Sequence, residues 1–318
     1  MQNVLISGAA GFIGSHLCEY FLKKNNCKVY GFDNFTSSDE RNIQYLKKQN
    51  SDHFYFKKIN VLDKESLNHF IGETKIHKIF HLACPASPPI YQKDPLNTLD
   101  VCYLGTKNML EIAKNQDCRI FLASTSEIYG DPEIHPQPES YRGNVNTVGI
   151  RSCYDEGKRV LETLGFIYAQ NNVQVRVGRI FNTYGPRMNP SDGRVIINFV
   201  HQALQGEPLT IYGDGSQTRS LCFYSDLIDG IIKLFESKCD TPVNLGSEFE
   251  FSVYDLAVLI KNKINPNLNL VYLPLPSDDP KMRRPNLSKA KKLLNWEPKV
   301  TLSEGLDAVI QFYQNKEQ

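Results

Sequence analysis

Six short stretches of the chain are rich in apolar and β-forming residues. They are NVLISG (3–8), CKVYGFD (27–33), FYFKKIN (54–60), KIFHLAC (78–84), CRIFLAST (118–125) and VQVRVGRI (173–180). Several carry apolar residues at consecutive positions, as a strand covered on both faces does, whereas a half-exposed strand alternates. Between them apolar residues recur at helical spacing, as in Leu17, Phe21 and Leu22, or Val160, Leu164 and Ile167. Strands apolar on both faces, alternating with helices, predict an α/β fold built on a doubly wound parallel sheet. From about residue 181 the rhythm changes, and proline- and glycine-rich loops (YGPRMNPSDGR, GEPLTIYGDGSQTR) punctuate shorter elements. SLCFYSD (220–226) reads as one more strand returning to the first sheet. Thr301 and Glu304 form a capping box for a last helix through Phe312.

Hydrophobic residues make up 41% of the 318 positions and charged ones 22%, enough apolar material for a substantial core. The net charge of +1 excludes a surface-wide field for nucleic acid or acidic membrane, so an anionic ligand has to be held by local arginines. The eight cysteines show no CxxC pair and no metal-ligand spacing, and several lie inside apolar runs, as reduced cysteines do. With no leader-like or membrane-spanning stretch, the expectation is a cytoplasmic protein without metal, membrane or nucleic-acid partner.

Candidate chemistry begins at GAAGFIG, which sets Gly8, Gly11 and Gly14 between the first strand and a helix. Glycines there let the backbone turn tightly and approach a pyrophosphate, which then lies on the unpaired N–H groups of the helix start. Asp33, at the end of the second strand, can accept both hydroxyls of a ribose. Strand, glycine triplet, helix, strand and terminal acid in this order predict a Rossmann dinucleotide site. Asp33 repels a 2′-phosphate, and Asp39 and Glu40 add to that, so NAD is expected over NADP. The expected division is residues 1–180, with 217–240 returning to them, as the NAD-binding Rossmann domain. Residues 181–318 are then mainly a smaller α/β substrate-binding region.

Tyr154 and Lys158 lie four apart, on one helix face. An ammonium beside a phenol favours the phenolate; lowering its pKa from ~10 by about 3 units takes roughly 4 kcal/mol, to which a nicotinamide's positive charge can contribute. Such a tyrosine can take a proton from a sugar hydroxyl. Together with Thr125 at the preceding strand end, these residues resemble the extended short-chain dehydrogenase/reductases that act on nucleotide sugars. Longer strings narrow the resemblance to the UDP-glucuronate decarboxylase branch of that family over nearly the whole chain. They include HLACPASPPIYQKDP (81–95), STSEIYGDPEIHPQPE (124–139), SCYDEGKR (152–159), IFNTYGPRM (180–188), DGRVIINF (192–199), GDGSQTRS (213–220) and RRPNLSKAKKLLNWEP (283–298).

The triplet Thr125-Ser126-Glu127 carries the distinction within the family. Related 4,6-dehydratases have Thr-Asp-Glu here, because expelling a hydroxyl needs an acid, and 4-epimerases lack the glutamate. Ser126 removes the acid while Glu127 remains, which resembles the decarboxylases. The chemistry follows from carbon 5: its carboxylate cannot leave as carbon dioxide until carbon 4 is a ketone that can take the electrons as an enolate. The resemblance implies that Thr125 binds the 4-hydroxyl, that Ser126 and Glu127 contact the ring and carboxylate, and that Arg283 approaches the sugar. It implies further that Arg219 takes the diphosphate, Arg194 lies by the uridine or phosphates, Asn182 holds the diphosphate or sugar, and Tyr212 stacks near the uracil. Pro85, Ser87, Tyr91, Arg187 and Gln217 complete the implied substrate set. Phe12, Ile13, Asn34, Asn60 and Val61 join the three glycines, Asp33, Tyr154 and Lys158 around NAD. Arg284 is expected to be structural, and His81 to serve packing or backbone bonding.

Four residues at three places depart from the family pattern. Cys102 stands where an asparagine is usual beside the nicotinamide, Asn60 where an aspartate is usual near the adenine, and Ser38-Asp39 where a glycine and a basic residue are usual. Other readings are an oxidative decarboxylase that releases UDP-4-keto-pentose and NADH, another dehydratase or 4-epimerase, and a non-catalytic NAD-sensing protein on the same fold. By resemblance a homodimer is expected through helices covering residues 100–114 and 154–170.

Overall fold

The structure is a computed structural model that describes residues 1–49, 52–274 and 282–317. Its centre is a seven-stranded sheet, parallel throughout. Six strands are the six stretches read from the sequence: β1 (Gln2–Ser7), β2 (Cys27–Asp33), β3 (Phe54–Lys58), β4 (Lys78–His81), β5 (Arg119–Thr125) and β6 (Val175–Ile180). The seventh is the edge strand Val243–Leu245, and the spatial order is edge strand, β6, β5, β4, β1, β2, β3. The order reverses between β1 and β4, so their connections leave on opposite faces and open a crevice beyond their C-terminal ends.

Consecutive residues of one strand feed different cores. Val4 and Ile6 of β1 join Phe80 and Phe121 on one face, packed against the helices Phe12–Leu22 and Tyr224–Glu236. Leu5 joins Ile79, Ile120 and Leu122 on the other, with Met109 and Leu110 of helix Thr106–Asn115 and Leu161 and Leu164 of helix Ser152–Gln170. This is the double burial that the unbroken apolar runs predict. The long helix departs from its apolar spacing, since Leu161 and Leu164 are buried while Val160 and Ile167 are exposed.

SLCFYSD does not return to the large sheet. Cys222–Phe223 pairs with Thr183–Tyr184 in a separate two-stranded sheet, and from Tyr224 the chain is helical. What returns is that helix, whose Phe235 stacks on Phe80 with centroids 4.5 Å apart, and the edge strand after it. The returning strand, VNL, is three residues long, too short to show a period. A third core holds the substrate-side region together, with Ile196, Phe199, Leu209, Leu256, Ile260 and Leu306 among its members. The capping box forms as predicted: Thr301 N donates to Glu304 Oε2 at 2.9 Å and Glu304 N to Thr301 Oγ1 at 3.3 Å, opening the helix Leu302–Glu317.

Candidate active site

At the crevice lies a cavity of about 710 Å³, large enough for small ligands or cofactors. Its floor is the C-terminal ends of β1, β2, β4 and β5, and its far wall comes from residues between Asn182 and Val253 together with Arg283. At one end Gly11 caps the helix Phe12–Leu22 without a side-chain hydrogen bond, and the first turn carries no acid. Its N–H groups are therefore open to an anion. Gly8 takes a φ of +70°, which favours glycine. A Cβ on Gly14 would sit 2.0 Å from Gly8 O, so only glycine lets the helix start this close to β1. Phe12, Ile13, Asn34 and Val61 line the same end.

Asp33 is already busy. Its Oδ2 accepts from Ala10 N at 3.1 Å, and its Oδ1 accepts from Phe35 N and Ser38 Oγ, both at 2.8 Å. A carboxylate has about four lone-pair directions, so it retains room for a ribose hydroxyl while bracing the glycine turn. Two readings need correction. Asp39 binds Arg41 through both carboxylate oxygens, so its charge is largely met on the spot. Asn60 does not line the cavity: its Oδ1 accepts from Leu62 N at 3.1 Å and shapes the turn before helix Lys64–Ile71. A glycine-bounded cradle, an open helix start and a partly available carboxylate together fit a dinucleotide.

At the reacting end Thr125 closes β5, and its Oγ1 accepts from Glu127 N at 3.3 Å, starting the short helix Ser126–Tyr129. The Tyr154 ring stacks on Tyr91, centroids 5.0 Å apart and planes 4° from parallel. Lys158 Nζ donates to Ala123 O at 2.8 Å and sits 5.7 Å from the Tyr154 ring centroid. In this environment the phenol is pushed well up, not down: burial dominates, and the hydrogen bond with Thr125 relieves it only in part. The expected depression of the Tyr154 pKa is therefore not a property of the chain alone, because burial of the phenol outweighs it.

Glu127 is the electrostatic centre. Arg283 Nη1 donates to its Oε1 at 2.8 Å and also to Ser126 Oγ at 3.3 Å, Nη2 donates to Gly130 O at 2.9 Å, and Arg151 binds the other carboxylate oxygen. Burial alone raises this carboxyl, but the charges of Arg283 and then Arg151 hold it below the usual range, so it is an anion at neutral pH. Arg151 was missed in the sequence. It directly precedes the quoted string SCYDEGKR, and nothing local marks a residue whose partner is 24 positions away. Behind the wall, Asp155 is raised to about 7, chiefly by burial, but it does not line the cavity.

Pro85, Ser87, Tyr91, Asn182, Arg187, Arg194, Tyr212, Gln217, Arg219 and Arg283 all line the cavity, as do Thr125, Ser126, Glu127, Tyr154 and Lys158. Their side chains differ in what they are committed to. Arg187 binds Glu19 and stacks over Tyr45, and Arg194 Nε lies 3.0 Å from Asp192, so both charges are met by carboxylates. Ser87 Oγ donates to Asp192 O at 2.7 Å, and Gln217 Nε2 to Tyr212 O at 2.7 Å. Arg219 Nη1 donates to Thr218 O at 2.8 Å, and its charge acts on Glu127. Tyr212 is exposed at the rim. His81 bonds side chains, not backbone, lying 2.8 Å from Ser7 Oγ and 3.1 Å from Thr106 Oγ1. Arg284 is held by Glu250 and Gln137, away from the cavity.

The family model described as GDP-mannose 4,6 dehydratase matches residues 5–309. UDP-glucuronic acid decarboxylase 3 of Arabidopsis thaliana is 48% identical over 309 residues, covering 96% of this chain and 87% of that protein. UDP-glucuronic acid decarboxylase 1 of Danio rerio is 46% identical over 319 residues, covering 99% and 73%. Among solved structures, UDP-glucose 4-epimerase from Thermotoga maritima with UDP-glucose superposes with a TM-score of 0.91 at 27% identity over 100% of both chains. UDP-glucuronic acid 4-epimerase from Bacillus cereus, in complex with UDP-glucuronic acid and NAD, gives 0.87 at 29% identity over 99% of this chain and 100% of that one.

Proposed function

The chain belongs to the GDP-mannose 4,6-dehydratase family, and from that premise we propose that it is an NAD-dependent UDP-glucuronate decarboxylase that makes UDP-xylose. The observation that carries the choice among family chemistries is Glu127, held as an anion between Arg151 and Arg283 next to Ser126, on the wall shared with Tyr154 and Lys158. A dehydration would need an acid in that place. Ser126 offers none, Glu127 is ionised, and the one carboxyl raised towards neutrality among the described residues, Asp155, lies behind the wall.

When bound, NAD would supply a reversible two-electron store for carbon 4 and a positive charge on its nicotinamide. Gly8, Gly11 and Gly14 with the helix start would hold its pyrophosphate, and Asp33 its ribose. Tyr154 Oη, hydrogen-bonded with Thr125, takes the proton of the 4-hydroxyl and later returns it. Lys158, fixed on Ala123 O, keeps an ammonium behind that proton's path. With carbon 4 a ketone, the C5–carboxylate bond breaks and its electron pair enters an enolate. Carbon dioxide leaves, and carbon 5 takes a proton from solvent water before carbon 4 is reduced again. Arg283 and Arg151 exceed Glu127 by one positive charge, which suits an entering carboxylate, while Glu127 limits how tightly it is held. Arg219, on the cavity lining, meets the diphosphate on this reading.

The protein works, on this reading, as a cytoplasmic homodimer. An apolar surface on adjoining helices supports the dimer: Leu96, Leu99, Tyr103 and Leu104 on one side, Val160, Phe166 and Ile167 on the other. The test of function is incubation with UDP-glucuronate and NAD followed by NMR of the nucleotide sugar. UDP-xylose should accumulate with carbon dioxide while NADH absorbance never exceeds the enzyme concentration. NADH rising in step with carbon dioxide would mean that the cycle stops at the ketone.

A further inference from the structure

Two cysteines meet at the wall of the cavity. Cys84 follows β4 and lines the cavity, partly exposed to it, and Cys102 is fully buried in the helical segment Val101–Gly105. Their sulfurs are 3.3 Å apart, a hydrogen-bond contact within reach of a covalent bond after a small shift. Cys102 in turn packs on Gly157, where a Cβ would lie 2.9 Å from its sulfur. Gly157 sits between Tyr154 and Lys158 on the same helix. We propose that Cys84 and Cys102 form a peroxide-reactive thiol pair that closes to a disulfide and, by moving the wall against which Tyr154 and Lys158 are set, stops turnover reversibly.

The chemistry assigns the two sulfurs different parts. The hydrogen bond with Cys102 and then the Lys158 charge hold the Cys84 thiol down to about 7 against its burial, whereas Cys102 is pushed up. Cys84 is thus the thiolate exposed to a small oxidant entering the cavity, and Cys102 the resolving thiol. The Cys84 sulfur attacks one oxygen of hydrogen peroxide, the O–O bond breaks, and hydroxide leaves to take up the thiol's proton as water. The sulfenic acid so formed is attacked by the Cys102 sulfur, whose proton leaves with the displaced hydroxyl as a second water while the S–S bond forms. Two thiols are oxidised and one peroxide is reduced. The disulfide would draw the loop after β4 towards the segment on which Cys102 rides, and with it the packing on Gly157.

The experiment titrates the full-length protein with hydrogen peroxide, blocks remaining thiols, and maps disulfide-linked peptides by mass spectrometry beside turnover. A Cys84–Cys102 linked peptide should appear, the rate should fall in proportion to the linked fraction, and a thiol reductant should restore both. Cys84→Ser and Cys102→Ser, each compared with its own untreated rate, should lack the reductant-reversible loss. Circular dichroism reports whether each variant is folded. A linkage of Cys84 to Cys153, no linkage at all, or linkage with the rate unchanged overturns the proposal. So does a reversible loss that persists in Cys102→Ser. The linked peptide is read without reference to the reaction, so its absence and a failure of the proposed function are separate results.

Discussion

A phenol held as high as that of Tyr154 gives and takes a proton only when the rest of the site is assembled around it. Tyr154→Phe keeps the ring stacked on Tyr91 and removes the hydroxyl alone. It should lower carbon dioxide release by about 10²–10⁴-fold, the usual worth of a positioned acid–base group, with NAD affinity by fluorescence titration nearly unchanged. Arg283→Ala removes one charge-assisted partner of Glu127 and of any substrate carboxylate. With such bonds worth about 1.5–3 kcal/mol, turnover should fall by one to two orders of magnitude, and NAD affinity should hold. Turnover equal to the parent would place the sugar's carboxylate elsewhere. At this scale the sequence was legible where a residue's role follows from its neighbours in the chain, as in the glycine triplet or Thr125-Ser126-Glu127. It was not where the role is a tertiary pairing. Arg151 is matched to Glu127 across a loop, Asp39 is neutralised by Arg41, and Asn60 is turned away by Leu62 N.

The six long strands and the helices Phe12–Leu22 and Ser152–Gln170 could be read because each carries its burial in its own pattern. The long helix shows the limit of that reading. Val160 and Ile167 have core-like spacing yet face outward, because a helix apolar on two sides does not say which side the sheet takes. The junction of β1 with its helix is the most constrained element. Gly14→Ala would drive a methyl group into the Gly8 carbonyl, and backbone on both sides leaves it nowhere to go. Overpacking of this kind costs about 1–3 kcal/mol, so the urea midpoint should drop while NAD binding is lost more severely than stability. An alanine variant that binds NAD like the parent would show that the turn opens to admit a methyl group.

For the molecule as a whole, two buried histidines tie acid sensitivity to the fold. His81 is pulled down to about 3 by burial and then the Lys158 charge, and His16 to about 3 by burial and then the Arg187 charge. The unfolded chain protonates these rings near 6.5, and the folded one refuses the proton until about 3. Their contribution to stability is therefore complete above 6.5 and declines as pH falls below it. Urea midpoints should decrease between neutral pH and about 5, and the decrease should be shallower in His81→Gln. The exposed helices make the other prediction at this scale. Phe166→Glu should convert a dimer into monomers in sedimentation velocity without altering the far-ultraviolet spectrum, and a parent already monomeric at all concentrations would remove that assembly. The sequence suggested that the later residues return to the sheet. It hid which of them pair with it, because three residues of VNL carry no period and the neighbouring SLCFYSD looks more like a strand.

That edge strand sets a timetable. On a ribosome β6 is finished while Val243–Leu245 is still unmade, and the helix Tyr224–Glu236 that covers Phe80 and Phe121 is unmade with it. At roughly 5–20 residues per second the gap lasts several seconds. Throughout it the nascent chain displays an unpaired parallel strand edge beside an uncovered aromatic face, both of which invite association with other unfinished copies. Yield in the cell should therefore depend on how quickly that interval is bridged, by fast decoding of the codons between the two strands or by a chaperone that covers the same face until the chain can cover it itself.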